Sequence, residues 1–512
     1  MNSNMTEQLD QLFHMWNRGL CPGAQVLIRQ HGKTLYEKCF GYGNLENKLK
    51  IHKESIFHVA SISKEFTVMS ILLLWKEGKL DLEDDIRKYL NEYINIETPI
   101  TIRQMMNNVS GLRDQWELLF LRGIKINDQI DMDDINTTIS LQKSLNFEPQ
   151  SQYLYSNTGF HLLALIVEKL SQMSFPQFVK ERIFTPLGMT HSFVRESFTQ
   201  IVPNLTYSYQ DEGDDTFYYN PLNYALYGPT SVNTCASDLC KVLDEYIHPN
   251  VIDPEIIELM KKPVLLSNGK TAEYCGGLIT HKLHGLDVFG HGGADAAYRG
   301  EIICIPEKEL ELVLISNTTT YAMSKLADKA ACIVLGLPDC SEPVVPKHEN
   351  APARSGVFLT ALPDDPMFVD ITEQNGTFYM QREWCRTELV KEEDGGYRIG
   401  SLDEKIYFTD KGILYRLPAR VLTLTPAKPA DPALFQERTY YNDETDSFMK
   451  LVKAENTCEI HMRRYGKTTL YQSASGSIIF RMDANLVMYV KAENDTIIMD
   501  GGRIKHILYQ KQ

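Results

Sequence analysis

No stretch of this chain stays apolar for the roughly 20 residues that a membrane-crossing helix needs, so no helical span is expected. No basic block exists either. Lysine and arginine number 52 against 67 acidic residues, a net charge of −15. That balance excludes binding to nucleic acid or to an anionic membrane through a basic surface. The ten cysteines contain no CxxC pair, and Cys235 and Cys240 are the closest two. A disulfide framework is therefore not expected, and reduced buried thiols are. Met1-Asn2-Ser3-Asn4-Met5-Thr6-Glu7-Gln8 lacks the basic and apolar regions of a secretory signal, which gives a cytoplasmic location as the expectation. A G-x-S-x-G elbow is missing, which disfavours a classical α/β-hydrolase. HExxH is missing too, and the histidines are dispersed, so no metal and no cofactor are expected.

What remains is ordinary globular text, 43% hydrophobic and 23% charged. At 512 residues it is long enough for two or three domains. Ser61-Ile62-Ser63-Lys64 holds the most informative residues. On a helix, positions three apart share a face, so the Lys64 amine can reach the Ser61 hydroxyl and help to remove its proton. The positive end of the helix dipole favours the charge of attack. The spacing recurs at Ser140 to Lys143, Ser267 to Lys270 and Ser447 to Lys450. Only Ser61 opens a run that is apolar on nearly every side, from Phe66 to Leu74, as a central buried helix would be.

Strand patterns at Ala24–Ile28 and Lys33–Glu37 flank a His31-Gly32 turn. Helical patterns follow at 61–77, 102–108, 158–172 and 175–184. Strands return at 277–279, 286–290, 301–305 and 310–315, before a helix over 321–335. Strands at both ends with helices between predict an α+β unit over 1–340, one antiparallel sheet with a helical insertion. Pro338, Pro343, Pro346 and Pro352 then mark a linker. Beyond it, short alternating strands separated by turns at 394–396, 410–412, 483–485 and 500–502 read as barrel or sandwich. Pro426, Pro429 and Pro432 split that text into β-barrel domains over 350–425 and 430–512; one lipocalin-like barrel over 350–512 is the alternative.

Two further motifs carry chemistry. Tyr155-Ser156-Asn157 precedes an amphipathic helix, and a phenol two residues from a carboxamide suits a proton carrier and a substrate clamp. His291-Gly292-Gly293 follows a strand, reads as a glycine-rich turn, and would let a ligand approach the backbone closely. An exposed strand edge there could lend an N–H to an oxyanion.

Ser61-x-x-Lys64, Tyr155-x-Asn157 and His291-x-Gly293 occur in an order and spacing that resemble the β-lactamase-related serine hydrolases. That group includes class C β-lactamases, D-amino-acid-specific peptidases and carboxylesterases. Leu80–Leu90, Thr101–Met106, Val109–Leu112, Phe184–Met189 and Thr234–Leu239 look like further family segments, and the resemblance covers residues 10–335. It implies a β-lactamase-like fold and an acyl-enzyme on Ser61, with Lys64 and Tyr155 sharing the general-base work. It implies an oxyanion hole from the N–H groups of Ser61 and Ala294, substrate contacts at Asn157, His291 and Gly293, and an extra contact at Gln115.

Departures from the family pattern matter. Many members carry Lys-Thr-Gly where this chain has His291-Gly292-Gly293. An imidazole anchors a carboxylate less well than an ammonium, which argues against efficient β-lactam or carboxypeptidase action. Asn107-Asn108 stands where relatives often have His-Thr. A catalytic module plus two barrels looks like bacterial D-aminopeptidases, in which a barrel loop enters the active site and recognises the substrate's free amine; which loop does so here is not legible. The expected partner is a small-molecule or peptide substrate, with a homo-oligomer contact as another use of the β domains. The leading expectation is a D-aminopeptidase-type peptidase or amidohydrolase. The alternatives are a carboxylesterase, weak β-lactamase action and an inactive binding module.

Overall fold

The computed structural model describes residues 3–512 except 213–214, 320–321, 340–342, 361–366, 382–385, 400–403, 418–419, 474–475, 484–485 and 494. Cys340, Cys385 and two residues of the 483–485 turn lie outside the described set.

Seven antiparallel strands form the central sheet, in the order Tyr274–Cys275, Leu278–Leu283, Leu286–Asp295, Tyr298–Ile305, Leu310–Ser316, Ala24–Gln30, Lys33–Phe40. The N-terminal hairpin docks on the last strand of the unit, with Val26 opposite Leu314 and Ile28 opposite Leu312. Helices Ser3–Leu12 and Met323–Leu335 cover one face of the sheet, burying Leu9, Phe13, Ile305 and Ala330. The other face packs on the helical insertion through a core that includes Phe66, Leu72, Phe160 and Ile302. Helix Ser63–Lys76 lies inside that core. Every residue from Ser63 to Leu72 is buried, as its all-round apolar sequence requires.

Two separate β structures follow. Strands from Gly356–Thr360 to Val421–Pro426 close on each other into a barrel around Val369, Ile371, Ile406 and Phe408. Strands from Lys428–Pro429 to Ile507–Lys511 form a curved ten-stranded sheet. Its end strand Gly466–Thr469 comes back to the third strand, Ile478–Asp483, where Thr468 Oγ1 donates to the Arg481 carbonyl. The core of this second sheet takes in Leu118, Phe120 and Leu121 of helix Gln115–Leu121, a helix of the α+β unit. No helix among the described residues is long and apolar enough to cross a membrane.

Candidate active site

Ser61 sits in a single 3-10 turn, Ala60–Ile62, two residues ahead of the helix that the sequence had starting at it. Ala60 holds a left-handed backbone, φ +48°, which is uncommon for a residue with a Cβ. The turn presses on strand Leu286–Asp295. A Cβ on Gly293 would lie 2.3 Å from the Val59 carbonyl, so only glycine fits that crossing. The motif His291-Gly292-Gly293 is therefore not a turn. Its residues continue the strand, paired with Tyr298–Ile305 on one side. Pairing with Leu278–Leu283 stops at Gly290, which leaves the other edge of Gly292–Asp295 open. Ala294 is exposed beside that edge.

Lys64 is fully buried, with Nζ 3.0 Å from Ser61 Oγ, 2.9 Å from Asn157 Oδ1 and 2.8 Å from the Pro229 carbonyl. Burial holds its pKa well below the usual lysine value; Asp114 opposes the shift and Arg503 adds to it. A neutral amine has two N–H groups and one lone pair. In the neutral form that burial favours, the two carbonyl oxygens would take the N–H groups and leave the lone pair for the Ser61 hydroxyl. Asn157 is oriented by Asp114, whose Oδ2 accepts both the Asn157 backbone N–H and Nδ2–H at 2.8 Å. A carboxylate only accepts, so the amide nitrogen faces Asp114 and the oxygen must face Lys64.

Tyr155 lies beside Ser61, and its ring centroid is 4.9 Å from Lys64 Nζ. Burial raises the phenol above its ordinary value, although the neighbouring Ser61 hydroxyl and Arg503 oppose this. His291 is buried, and burial, helped by Lys64, pulls it down to about 3. Its Nδ1–H donates to the Gly292 carbonyl at 2.5 Å, and Nε2 accepts from Tyr274 O–H at 3.1 Å. The imidazole is thus neutral, in one tautomer, with both nitrogens engaged. Gln115 is fully buried at the start of its helix, and neither amide atom finds a partner.

The structure brings Ser61, Lys64, Tyr155 and Asn157 into mutual contact, with the His291–Ala294 strand beside them. Sequence reasoning missed four contributors. Asp114 stands directly before a helix as its N-cap, a pattern open to reading. The Pro229 carbonyl and the strained Ala60 carry no side-chain signature. Arg503 follows the Gly501-Gly502 turn of the last sheet, and its guanidinium reaches to 5.8 Å from the Tyr155 ring centroid. Asn107 and Asn108 also gain an explanation. Asn107 Oδ1 accepts from Gly276 N–H, and Asn108 Oδ1 from Ser156 N–H, so both tie loops behind the site.

Residues 5–333 match the Beta-lactamase family model. Penicillin-binding protein 4* of Bacillus subtilis (strain 168) is 28% identical over 430 residues, 80% of this chain and 95% of that protein. A D-aminopeptidase of Gluconobacter oxydans (strain 621H) is 27% identical over 319 residues, 62% of this chain and 59% of its own length. The octameric penicillin-binding protein homologue from Pyrococcus abyssi overlays with a TM-score of 0.58 across 100% of both chains, at 18% identity. The D-amino acid amidase from Ochrobactrum anthropi SV3 gives 0.54 at 20% identity, over 65% of this chain and 99% of its own. These overlays establish the fold. With the family model spanning well over half its length, the chain belongs to the Beta-lactamase family of serine hydrolases.

Proposed function

We propose that this protein hydrolyses amide bonds of small peptides through an acyl-enzyme on Ser61, in the manner of a D-aminopeptidase-type amidohydrolase. The observation that carries the mechanism is the Lys64 amine, 3.0 Å from Ser61 Oγ in a fully buried site that favours its neutral form. Lys64 takes the Ser61 proton as Oγ attacks the carbonyl carbon. Tyr155, its phenol held protonated by burial, donates a hydrogen bond and relays that proton to the leaving amine. The backbone N–H groups of Ser61 and Ala294 receive the oxyanion; losing one such donor costs on the order of a hundredfold in rate. Asn157 keeps one Nδ2–H for a substrate carbonyl after bonding Asp114. Water then attacks the acyl-enzyme by the same route in reverse.

The choice of amidase rests on the D-aminopeptidase relative and on the His-x-Gly strand. His291, buried and neutral, acts in this reading as a prop for the strand rather than as a substrate anchor. The reading treats 1–340 as the catalytic unit and 350–425 and 430–512 as two β units. Closure of the first β structure on itself, with the ten-stranded sheet separate from it, favours this over one barrel. A cytoplasmic setting belongs to the same proposal and is favoured by buried free thiols at Cys21, Cys235, Cys240, Cys275, Cys304 and Cys458. So does homo-oligomerisation, which light scattering tests.

Ser61→Ala should lower turnover about a thousandfold or more while the melting temperature stays nearly unchanged. Residual activity above about a tenth of wild type removes the nucleophile assignment. Parallel assays of D- and L-aminoacyl amides, short acyl esters and a chromogenic cephalosporin rank the substrate classes. Esters turned over faster than every amide would make the protein a carboxylesterase.

A further inference from the structure

The turn 501–506 of the last sheet is bound to the catalytic unit by its main chain. Arg503 N–H donates to both carboxylate oxygens of Glu117 at 3.0 Å. The Arg503 carbonyl accepts from Asp114 N–H at 3.2 Å and from Asn146 Nδ2–H at 3.0 Å. Lys505 N–H donates to Asn146 Oδ1 at 2.7 Å, and Arg113 donates to the carbonyls of Lys505 and His506. Gly501 is fitted to this dock, since a Cβ there would lie 2.8 Å from Glu117 Oε2. Docking therefore needs nothing from the Arg503 side chain.

That side chain is held loosely instead. Nη1 is 3.4 Å from Asp114 Oδ2 and Nε is 3.5 Å from Glu117 Oε1. A tight charge-assisted pair closes to about 2.7–2.9 Å. Nη2 has no hydrogen-bond partner among the described residues, and the side chain remains 38% exposed. The guanidinium lies against the Tyr155 ring, and its charge is felt at both Tyr155 and Lys64. An unspent cationic fork thus faces the cleft from the β domain, while the catalytic unit's own strand offers only the neutral His291. An arginine fork is the side chain best matched to a planar carboxylate.

We propose that Arg503 is a specificity-determining residue that pairs with a carboxylate on the substrate, so that the enzyme selects small peptides or amides carrying a free carboxylate. The inference rests on the acyl-enzyme reading above and deepens it. The loop delivers a cation, so it draws the anionic end of a substrate, and the ammonium of a free N-terminus would lie away from it. Glu117 is pushed up by burial to about 7, so near neutral pH its carboxyl is only partly ionised beside the Arg503–Asp114 pair. A substrate carboxylate adds to that pair rather than displacing it.

Two matched substrate pairs test the proposal on the full chain. N-succinyl- and N-acetyl-D-alanine p-nitroanilide differ by a carboxylate on the acyl side. The p-aminobenzoate amide and the anilide of D-alanine differ by one on the leaving side. Wild type should prefer the carboxylate member of at least one pair by about tenfold or more in kcat/KM, mainly through KM and less at high salt. Arg503→Gln should bring that ratio near one, and Arg503→Lys should restore part of it. Labelling of Ser61 by a fluorophosphonate separates the two readings. Labelling without preference in either pair, or a ratio unchanged in Arg503→Gln, overturns this inference alone. Absence of labelling overturns the hydrolase reading and this inference with it.

Discussion

Lys64 decides the pH dependence of this site. Only its neutral amine can accept the Ser61 proton, and its pKa lies well below the usual lysine value. Acylation should therefore rise with pH through that depressed pKa and level off above it. Arg503 is one cause of the depression. Removing its charge in Arg503→Gln should raise the Lys64 pKa and move the rising limb to higher pH, whereas Arg503→Lys should leave the limb nearly in place. The pH dependence of fluorophosphonate labelling measures this directly; a limb that stays put or moves to lower pH contradicts the electrostatic account. Ser61, Lys64, Tyr155 and Asn157 were legible in the sequence because each lies in a short motif at a helix start. The groups that set their chemistry were not. The Pro229 oxygen belongs to the main chain, and Arg503 lies in the last β sheet, far along the chain from the α+β residues it touches.

At the scale of elements, strand Leu286–Asp295 shows why one expectation failed. Glycines are depleted in strands, so His291-Gly292-Gly293 read as the turn after one. The strand keeps them because another backbone crosses it there. Gly293 faces the Val59 carbonyl, and its cross-strand partner Gly300 faces Ile62 Cδ1, where a Cβ would come to 3.0 Å. Both glycines make room for the turn that carries Ser61. Gly293→Ala should push strand and turn apart. A displacement near 1 Å costs on the order of a hundredfold in rate, with Ser61, Lys64 and Tyr155 all still present. A labelling rate within about threefold of wild type would show that the crossing tolerates a methyl group. Helices Ser63–Lys76, Ile102–Met106, Asn157–Ser171, Phe175–Val179 and Met323–Leu335 and most strands of the central sheet were legible from their period, whereas helices Ser3–Leu12, Gln115–Leu121, Met132–Ser140, Ala236–Ile247 and Pro254–Lys261 were not. The open edge past Gly290 was not, because it reflects where a neighbouring strand stops pairing.

At the scale of the whole molecule, the last β sheet shares its core with a helix of the α+β unit. One antiparallel sheet made from strands at both ends of that unit was legible, since edge strands bury their apolar faces by pairing; the order of its strands was not. The junction was not legible. Leu118, Phe120 and Leu121 lie in helix Gln115–Leu121, for which no pattern was read in the sequence, and they are buried in the core of the last sheet. Arg113 shows how strong this junction is. It is fully buried, pairs with Glu444 at 2.9 Å, and donates to Gln142 and to two carbonyls of the 501–506 turn. Glu444 in turn accepts from the Lys143 and Ser144 N–H groups. Removing one member of such a buried pair costs roughly 3–5 kcal/mol, because the other charge is left uncompensated. Arg113→Ala should therefore lower the melting temperature clearly. It should also slow labelling of Ser61, since the freed turn carries Arg503, whose carbonyl and guanidinium both bond Asp114, and Asp114 orients Asn157 against Lys64. Arg438→Ala, at an ion pair with Asp495 on the surface of the same sheet, is the control and should change neither. If Arg113→Ala melts earlier but labels Ser61 at the wild-type rate, the β domain holds the fold together without reaching the chemistry, and the chain from Arg503 through Asp114 to the nucleophile is broken as an explanation.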